Sequence, residues 1–375
     1  MFNLNDFGSM IGDRDRLAAH AEALKQVVTP ASVVVDIGAG TGIMSLLACQ
    51  AGARRVYAVE PSAAVSILAA SARANGFADR IVVLQQRSTE VALPERADVI
   101  VSDLRGVLPP YATHFADIVD ARRRLLAPAG RLLPMRDSLW AEVISAADAF
   151  ERRRRIWQSA PHGLDLRAAL PFVDNELDKY RARPDQALCE PLRWAVLDYP
   201  TLTDLAVRGA GSFTITRAGV GHGLLVWFDT VLVEGIGYSS APGGAPDGIY
   251  GQMFFSWPEA VVLQAGDRVA FELRADPIGA DYLWTWTTET GATRFRQSTF
   301  KSFPPSPDSL RKRASTFAPA LSATGTEALQ VLEGMRAGRT IGQIAEQLLA
   351  AHPDRFRSLD HAHGFVAELA QRYGD

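Results

Sequence analysis

Three glycines and two acidic residues near the start of the chain have the types and spacing of a ligand-binding loop. Gly38, Gly40 and Gly42 stand at alternate positions in the run VVVDIGAGTGIMS. Asp36 precedes the first glycine by two positions, and Glu60 closes the next apolar run, RVYAVE. Because glycine has no side chain, the backbone of such a loop can lie directly against a ligand, and a helix that follows offers free N–H groups. The pattern therefore predicts a binding site.

The ligand class follows from what the loop lacks and from its charges. The spacing is G-x-G-x-G, so it does not meet the G-x-G-x-x-G fingerprint of dinucleotide sites, and it has no Gly-Lys-Ser/Thr of a phosphate loop. A carboxylate at Glu60 suits the two hydroxyls of a ribose. A carboxylate at Asp36 opposes a phosphate but tolerates a cationic ligand. The combination predicts S-adenosylmethionine, an adenosine that carries a sulfonium. The alternative is a tight turn in another kind of α/β protein.

The elements that must position these residues alternate between strand and helix. Over residues 33–133, the β-rich runs VVVDI, RVYAVE, IVVLQQ and ADVIVSDL are separated by helical runs such as GIMSLLACQAGA. This alternation predicts a parallel sheet with helices on its faces. After Pro134 the pattern changes, and runs such as GLLVWFDTVLVEGIGY and YLWTWTTE are typical of antiparallel strands. A polar, Arg-rich helical insert interrupts this second part.

Length and composition limit the partners and the compartment. A chain of 375 residues is long enough for two or three domains. Its net charge of −3 gives no general attraction to nucleic acid, and it has no run of about 20 apolar residues that would span a membrane. The first residues, MFNLNDFGSMIGDRDR, do not resemble a secretory signal. With only two cysteines, Cys49 and Cys189, we expect a cytoplasmic protein without nucleic-acid or membrane partners.

Over about its first 300 residues the sequence resembles the protein arginine methyltransferase family. DFGSMIGDRDR is similar to the N-terminal helix with which that family closes over its cofactor, and VVVDIGAGTGIMSLLACQAGARRVYAVEPS is similar to its glycine loop and second strand. LPERADVIVSDLRG resembles the stretch that leads into the family's first acceptor-site glutamate. LLAPAGRLLP resembles the hinge into its β-barrel, and QMFFSWPEAVVLQAGDRVAF resembles barrel strands. The Arg-rich insert after Ala149 stands in the place of the arm through which that family dimerises.

The patterns and the resemblance together predict an α/β fold: a Rossmann-like parallel-sheet methyltransferase domain, an antiparallel β-barrel domain with a helical arm, and a small C-terminal helical domain. The predicted ranges are a cofactor-lid helix at 1–30, the domain that binds S-adenosylmethionine at 31–134, the barrel domain at 135–303 with a dimerisation arm at about 148–178, a proline-containing linker at 304–318 and the helical domain at 319–375. The arm implies a homodimer. The last domain is weakly similar to PqqD-like peptide-binding domains, and the alternative is a helical bundle that packs on the barrel or caps the dimer.

The resemblance also implies roles for single residues. Met10, Asp13 and Arg16 fit the family's M-x-x-D-x-x-R pattern, and Arg16 would then pair with the methionyl carboxylate of the cofactor through two parallel hydrogen bonds. Without the resemblance, Arg16 would be a solvated charge on a helix. Ser88 and Thr89 would border the adenine, with simple turn chemistry as the alternative. The predicted cofactor-binding set is Met10, Arg16, Asp36, Gly38, Gly40, Gly42, Glu60, Ser88 and Thr89.

The acceptor half departs from the family's pattern. In that family two glutamates clamp the guanidinium of the acceptor, whereas this chain has Asp103 at the first position and Ala112 at the second. The family's Thr-His-Trp loop corresponds here to Gly248, Ile249 and Tyr250. A guanidinium is always charged and costly to desolvate, so one short carboxylate without a partner argues against arginine as the acceptor.

Asp103 is nevertheless the candidate catalytic residue, because it follows the fourth predicted strand at the edge where open α/β sheets bind ligands. It would orient an attacking nitrogen or oxygen or accept its proton. The alternative is that Asp103 caps a loop. Of its neighbours in sequence, we expect His114 to lie on a helix surface and Tyr111 to pack.

Three functions stay open on the sequence. The first is methyl transfer from S-adenosylmethionine to a nitrogen or oxygen of a small metabolite or peptide, in a bacterial biosynthetic pathway. The second is N-methylation of arginine or another guanidino group by a substituted clamp. The third is a cofactor-binding scaffold that recognises a peptide without catalysis. His352, His361 and His363 have no cysteine near them, so no metal site is predicted.

Overall fold

A computed structural model describes residues 3–245, 248–304, 306–312 and 314–374. The chain separates into two compact units, Met1–Pro304 and Pro305–Asp375. The first unit contains the parallel sheet and the antiparallel sheets, and the second is helical. Among the described residues, we find no helix with the length and apolar character that a membrane crossing requires. Cys49 and Cys189 are both buried and unpaired.

Five strands form a parallel sheet in the order β3-β2-β1-β4-β5. These are β1 (Val33–Ile37), β2 (Arg55–Val59), β3 (Ile81–Leu84), β4 (Ala97–Ser102) and β5 (Leu126–Leu133). Every residue of β1 is buried, including Asp36, as is typical of a strand covered on both faces. The strand order reverses between β1 and β4, and ligands of open α/β sheets bind at such a switch point. The predicted parallel sheet is confirmed.

Helices flank this sheet and precede it. They are α1 (Leu4–Gly12), α2 (Arg14–Val27), α3 (Ile43–Gln50), α4 (Val65–Ala74) and α5 (His114–Arg124). Asn3 begins α1 with a capping box that includes Asp6. Asp13 both ends α1 and begins α2, because its side chain accepts a hydrogen bond from the Arg16 N–H. The predicted lid segment is therefore two helices joined at Asp13.

The remaining strands of the first unit form two antiparallel sheets, in the orders β7-β12-β10-β6-β8, with β11 beside β10, and β15-β14-β13-β9. The strands are β6 (Arg136–Ile144), β7 (Asp178–Tyr180), β8 (Leu192–Asp198), β9 (Val207–Thr214), β10 (Gly219–Val233), β11 (Ile236–Ser239), β12 (Gln252–Leu263), β13 (Arg268–Ile278), β14 (Asp281–Thr290) and β15 (Thr293–Ser298). The two sheets share one core, in which Phe255 of β12 packs edge-on against Trp284 and Trp286 of β14 at 5.3 Å. These tryptophans point inward because alternate residues of a strand face the same side.

Between β6 and β7 the chain forms the predicted arm. It contains α6 (Ala147–Gln158) and the short helix α7 (Leu170–Val173). Two of its four consecutive arginines are half-buried and paired within the first unit, Arg153 with Asp178 at 2.9 Å and Arg154 with Asp174. The arm also exposes apolar side chains, with Ile156 and Leu164 more than half accessible.

The second unit is a helical bundle with its own core. Its helices are α8 (Pro307–Lys312), α9 (Ala323–Arg336), α10 (Ile341–Ala351) and α11 (Leu359–Tyr373). Thr340 begins α10 with a capping box. The core is formed by Val331, Ile344, Ala345, Leu348, Phe356, Ala362 and Val366. The predicted linker at 304–318 contains α8, because Asp308 and Arg311, one turn apart, favour a helical turn after Pro307.

Candidate functional site

A cavity of about 370 Å³ lies at the carboxyl ends of β1, β2 and β4, and residues of α1 cover it. Seven of the predicted site residues line it: Met10, Arg16, Asp36, Gly38, Gly40, Glu60 and Asp103. Segment 249–250, which leads into β12, contributes the opposite wall. The residues that line the cavity therefore come from the N-terminal helices, the parallel sheet and the antiparallel region. We call it the cofactor cavity.

The glycine loop is shaped by close packing. Gly38, Gly40 and Gly42 have backbone φ angles of 71°, 54° and 95°, which residues other than glycine rarely adopt. A Cβ on Gly40 would lie 2.6 Å from Cε1 of Phe7, so the absence of a side chain lets α1 descend onto the loop. Within the loop itself, the N–H groups of Gly38, Ala39 and Gly40 all donate within the protein.

Glu60 is held at the end of β2 by two backbone donors. Its Oε2 accepts from the Gly40 N–H at 3.0 Å, and its Oε1 accepts from the Ser62 N–H at 2.8 Å. Each carboxylate oxygen has a further lone pair, and the side chain lines the cavity. Glu60 is thus fixed in position and can still accept hydrogen bonds from two neighbouring hydroxyls.

Asp36 is a buried carboxylate at the end of β1. Burial raises its pKa to about 6. The hydrogen bonds from Ser45 oppose this increase, and the charge of Glu60 adds a smaller increase. The Ser45 Oγ donates to Asp36 at 2.6 Å. Because the ionised form is destabilised by burial, a cation placed in the cavity would stabilise it.

Arg16 projects from α2 into the cavity and is only 4 % exposed. Its Nη1 donates to Asp103, and its Nη2 donates to the backbone oxygen of Met10 at 2.5 Å. Its Nε is buried and has no hydrogen-bond partner in the described part of the chain. The guanidinium is therefore bound to Met10 and to Asp103 through one hydrogen bond each from Nη2 and Nη1, while its Nε lies 4.0 Å from Oδ2 of Asp13.

Asp103 accepts from three side chains. Arg16 donates to Oδ2, whereas Tyr250 and Arg105 both donate to Oδ1, the latter through Nε at 3.1 Å and Nη2 at 3.0 Å. Burial alone would raise the pKa of Asp103, but the charges of Arg105 and Arg16 hold it well below its usual range. A carboxylate held ionised in this way takes up a proton poorly, so the predicted role as a proton acceptor finds no support in its surroundings.

Arg105 lies between Asp103 and Asp137, and its side chain is fully buried. We call the region around these three residues the acceptor side. Its Nη1 donates to both oxygens of Asp137, at 2.9 and 3.2 Å, and to Thr230 at 2.6 Å. Its Nη2 also donates to the Tyr238 hydroxyl. Together with the bonds to Asp103, these contacts occupy all five N–H donors of the guanidinium. We call Arg16, Asp103, Arg105 and Asp137 the ionic cluster; it contains two cations and two anions.

Aromatic rings enclose this cluster. The guanidinium carbon of Arg105 lies 5.2, 5.5 and 5.8 Å from the ring centres of Phe228, Tyr238 and Tyr250, within the range of cation–π attraction. Burial, followed by the charge of Asp103 and the neighbouring Tyr238, raises the pKa of Tyr250 well above its usual value, so the phenol stays neutral. The Arg105 charge is thus stabilised by rings as well as by carboxylates.

Several predicted positions differ in the structure. Ser88 and Thr89 do not line the cofactor cavity, and the Ser88 carbonyl accepts a hydrogen bond from Arg124. His114, expected on a helix surface, is buried, and its Nε2 lies 3.2 Å from the Tyr199 hydroxyl. Tyr111, expected to pack, is 44 % exposed, although its ring covers Gly106. His114 is buried because it stands at the start of α5, where it contacts Tyr199. The periodicity of the sequence does not indicate this contact.

Sequence reasoning missed Arg105, Asp137 and Thr230. Arg105 stands two residues after Asp103, at the ligand-binding edge of a parallel sheet, and a charged residue there was the available signal. Asp137 and Thr230 lie 32 and 125 residues further along, on β6 and β10. Nothing in their local sequence indicates that they meet Arg105.

The sequence of the parallel-sheet region matches one protein-family model. Residues 17–128 match the model described as ribosomal protein L11 methyltransferase. This range extends from α2 to the start of β5. It contains the glycine loop, Glu60 and Asp103.

Curated proteins similar to the chain are arginine methyltransferases. The chain is 32% identical over 248 residues to "Probable protein arginine N-methyltransferase 6" of Arabidopsis thaliana, a match that covers 62% of the chain and 55% of that protein. It is 31% identical over 231 residues to protein arginine N-methyltransferase 6 of Xenopus laevis, covering 58% of the chain and 68% of that protein. The chain thus spans about half to two thirds of the length of these relatives.

Solved structures share the fold. The Trypanosoma brucei PRMT1 enzyme–prozyme heterotetrameric complex with AdoHcy has a TM-score of 0.72 at 23% identity, covering 78% of the chain and 96% of that structure's chain. Arabidopsis thaliana protein arginine methyltransferase 10 has a TM-score of 0.68 at 20% identity, covering 78% and 97%. At these identities the likeness concerns the fold.

Proposed function

The chain belongs to the protein arginine N-methyltransferase family, and we propose that it transfers the methyl group of S-adenosylmethionine to a nitrogen or oxygen of a small metabolite or peptide. The observation that carries this proposal is the cofactor cavity, where Asp36, Glu60 and the glycine loop converge at the switch point of the sheet. The Trypanosoma brucei structure with AdoHcy, the demethylated form of the same cofactor, supports the choice of ligand.

The residues of the cavity fit this cofactor in three respects. Glu60 accepts hydrogen bonds at the end of β2, where the two ribose hydroxyls would donate. Asp36 gains from a cation, and the cofactor carries a sulfonium and an ammonium group. The Nε of Arg16, which has no hydrogen-bond partner within the described residues and lies 4.0 Å from Asp13, leaves a donor for the methionyl carboxylate. The sulfonium supplies an activated methyl group, so the protein has to bind, align and exclude water.

The lid helices would exclude that water. Phe7 lies over Gly40, and Met10 lines the cavity while its carbonyl binds Arg16. A closed lid keeps the reacting atoms dry and aligned, which is a common role of such helices. Binding of the cofactor and closure of α1 are therefore coupled through Arg16 and Phe7.

Calorimetric titration with S-adenosylmethionine tests the proposal. We expect binding to the wild-type protein, and a loss of affinity of about 1.5–3 kcal/mol for Glu60→Gln, because the variant loses charged hydrogen bonds to ribose. Glu95→Gln is the matched control, since Glu95 forms an exposed ion pair with Arg54 and does not line the cavity. Absence of binding to the wild-type protein would refute the proposal.

We also propose that the protein forms a homodimer through the arm. The exposed Ile156 and Leu164 give that segment an apolar surface, and the resemblance to the family's arm supports its use. Light scattering should report about twice the chain mass of 40.7 kDa for the wild type and one chain for Ile156→Asp. A monomeric wild type would contradict this assignment.

A second candidate function is cofactor binding without catalysis. It is favoured by one observation: both carboxylates of the acceptor side are already paired with arginines of the same chain. Mass spectrometry of incubations with S-adenosylmethionine distinguishes the two functions, because only the first yields a methylated product. Peptide recognition by the second unit, a cytoplasmic location and a bacterial pathway are predictions from sequence.

A further inference from the structure

A second cavity, of about 550 Å³, adjoins the cofactor cavity between α1, β7 and segment 248–250. The two cavities share the lining residues Met10, Arg105, Tyr111, Ile249 and Tyr250. A molecule bound in the second cavity therefore approaches the cofactor cavity through their common wall. We call the second cavity the acceptor cavity.

The common wall already contains a guanidinium. Arg105 donates to Asp103 and Asp137, and all its donors are used within the chain. An arginine acceptor entering here would find both carboxylates neutralised, and its own charge would lie beside that of Arg105. Because a desolvated cation needs a free carboxylate partner, the ionic cluster disfavours a guanidinium acceptor.

The outer rim of the acceptor cavity is also basic. Lys179 and Arg181 line it and are exposed. Lys179 donates a hydrogen bond to the carbonyl of Ile249, and Arg181 donates one to the carbonyl of Gly248. The carboxylate on this rim, Asp6, accepts from the Asn3 N–H at 2.8 Å as part of the α1 cap. Two fixed cations against one engaged carboxylate attract an anionic acceptor.

Among the described residues, those shared by the two cavities include no carboxylate and no imidazole that could accept a proton. Asp103 is held ionised by Arg105 and Arg16, and Tyr250, whose hydroxyl donates to it, is a neutral phenol. His20 lines neither cavity and His114 lines only the cofactor cavity, and burial lowers their pKa values to about 4 and 3, so both are weak bases. An amine, amide or alcohol acceptor has a proton to lose during transfer, whereas a carboxylate has none.

We propose, on the basis of the methyltransferase function above, that the acceptor group is a carboxylate drawn in by Lys179 and Arg181, and that the product is a methyl ester. A lone pair of the carboxylate oxygen forms the new bond to the methyl carbon while the carbon–sulfur bond breaks. The electron pair of that bond stays on sulfur, which gives neutral S-adenosylhomocysteine without any proton transfer. Arg105 is the specificity-determining residue that turns guanidinium acceptors away.

Alkali-labile labelling tests this proposal. The full-length protein is incubated with S-adenosyl-[methyl-³H]methionine, a degenerate hexapeptide library and a mixture of small carboxylic acids, amines and guanidines. Alkali converts methyl esters to volatile methanol, whereas N-methyl groups keep their label in the non-volatile fraction. We expect most of the label in methanol.

The other outcomes overturn the proposal. Base-stable label on arginine would show that the cluster opens for a guanidinium, and base-stable label elsewhere would show a different nucleophile. No label with calorimetric binding of S-adenosylhomocysteine intact would favour a non-catalytic protein. If S-adenosylhomocysteine does not bind at all, the methyltransferase function itself fails, which separates the two results.

Charge removal at the rim gives a second test. In Lys179→Ala/Arg181→Ala we expect ester formation to fall by about tenfold or more, mainly through a higher KM for the acceptor, because both cations act before transfer. The matched variant Lys25→Ala/Arg193→Ala removes two exposed cations that line neither cavity, and should behave like wild type. Equal activity of the two double variants would overturn the role of the rim.

Discussion

The two halves of the site treat buried carboxylates in opposite ways. On the cofactor side, Asp36 and Glu60 receive hydrogen bonds from a hydroxyl and from backbone N–H groups, and neither forms an ion pair within the described residues. On the acceptor side, Asp103 and Asp137 are both paired with arginines. Uncompensated carboxylates leave room for a cationic ligand, whereas compensated ones belong to the framework of the protein.

Substitution of Arg105 on the acceptor side should have a greater effect than any of the other substitutions, and it should act on the free energy of unfolding. Arg105→Met leaves Asp103 and Asp137 without their shared partner, and breaking such a buried pair costs about 3–5 kcal/mol of unfolding free energy. Urea denaturation measures this loss. Arg54→Met, which removes an exposed pair with Glu95, should cost no more than about 1 kcal/mol. Equal losses for the two variants would show that the ionic cluster is not a structural unit.

A glycine substitution tests the cofactor side. Gly40→Ala combines a left-handed backbone with a Cβ that would meet Phe7, so the lid must shift. We expect the affinity for S-adenosylmethionine to fall by about 1–2 kcal/mol, by calorimetry. Gly52→Ala is the matched control, because Gly52 also has a positive φ, of 106°, but a Cβ there has nothing within 4 Å. An equal loss of affinity in both variants would remove Phe7 from the explanation.

Binding of S-adenosylmethionine should depend on pH through Asp36. Since the pKa of Asp36 is raised to about 6, Asp36 is mostly ionised at pH 7 and mostly protonated at pH 5. Protonation removes the charge that favours a cationic ligand, so affinity for S-adenosylmethionine should fall by roughly tenfold as the pH falls from 7 to 5. Asp36→Asn should bind weakly at both values and lose this dependence. A wild-type affinity that does not change over this range would contradict the role of Asp36.

Substitution of Thr89, for which the resemblance implies a place beside the adenine, should have less effect than the other substitutions. Thr89 is exposed and does not line the cofactor cavity. We therefore expect Thr89→Ala to change the affinity for S-adenosylmethionine by no more than about twofold. A larger loss would mean that this segment moves to the ligand when the cofactor binds.

The cofactor side was predictable from sequence because its signals are local. The glycines, Asp36 and Glu60 lie within 25 residues, and a strand–loop–helix pattern fixes where each of them goes. The resemblance predicts a helical N-terminal segment whose role as a lid stays a prediction, and the division of this segment at Asp13 depends on a capping bond that the motif alone does not specify.

The acceptor side was not predictable, because its partners are distant in sequence. Arg105 meets Asp137 of β6 and Thr230 of β10 only after the antiparallel sheet has formed beside the parallel one. The same long-range packing explains His114, which is buried against Tyr199. Asp103 and Ala112 stand where the family has its two glutamates, so the sequence indicated an acceptor other than arginine. It did not show that a cation of the same chain, Arg105, pairs with Asp103.

Asp13 has a consequence for how the protein opens. One of its oxygens accepts from the Arg16 N–H and so begins α2, while the other accepts from the Ile249 N–H at 2.9 Å. Ile249 lines both cavities. If α2 is displaced to admit the methyl donor, either the bond between Asp13 and Ile249 breaks or Ile249 moves with the helix, and in both cases a residue that lines the two cavities loses its present support.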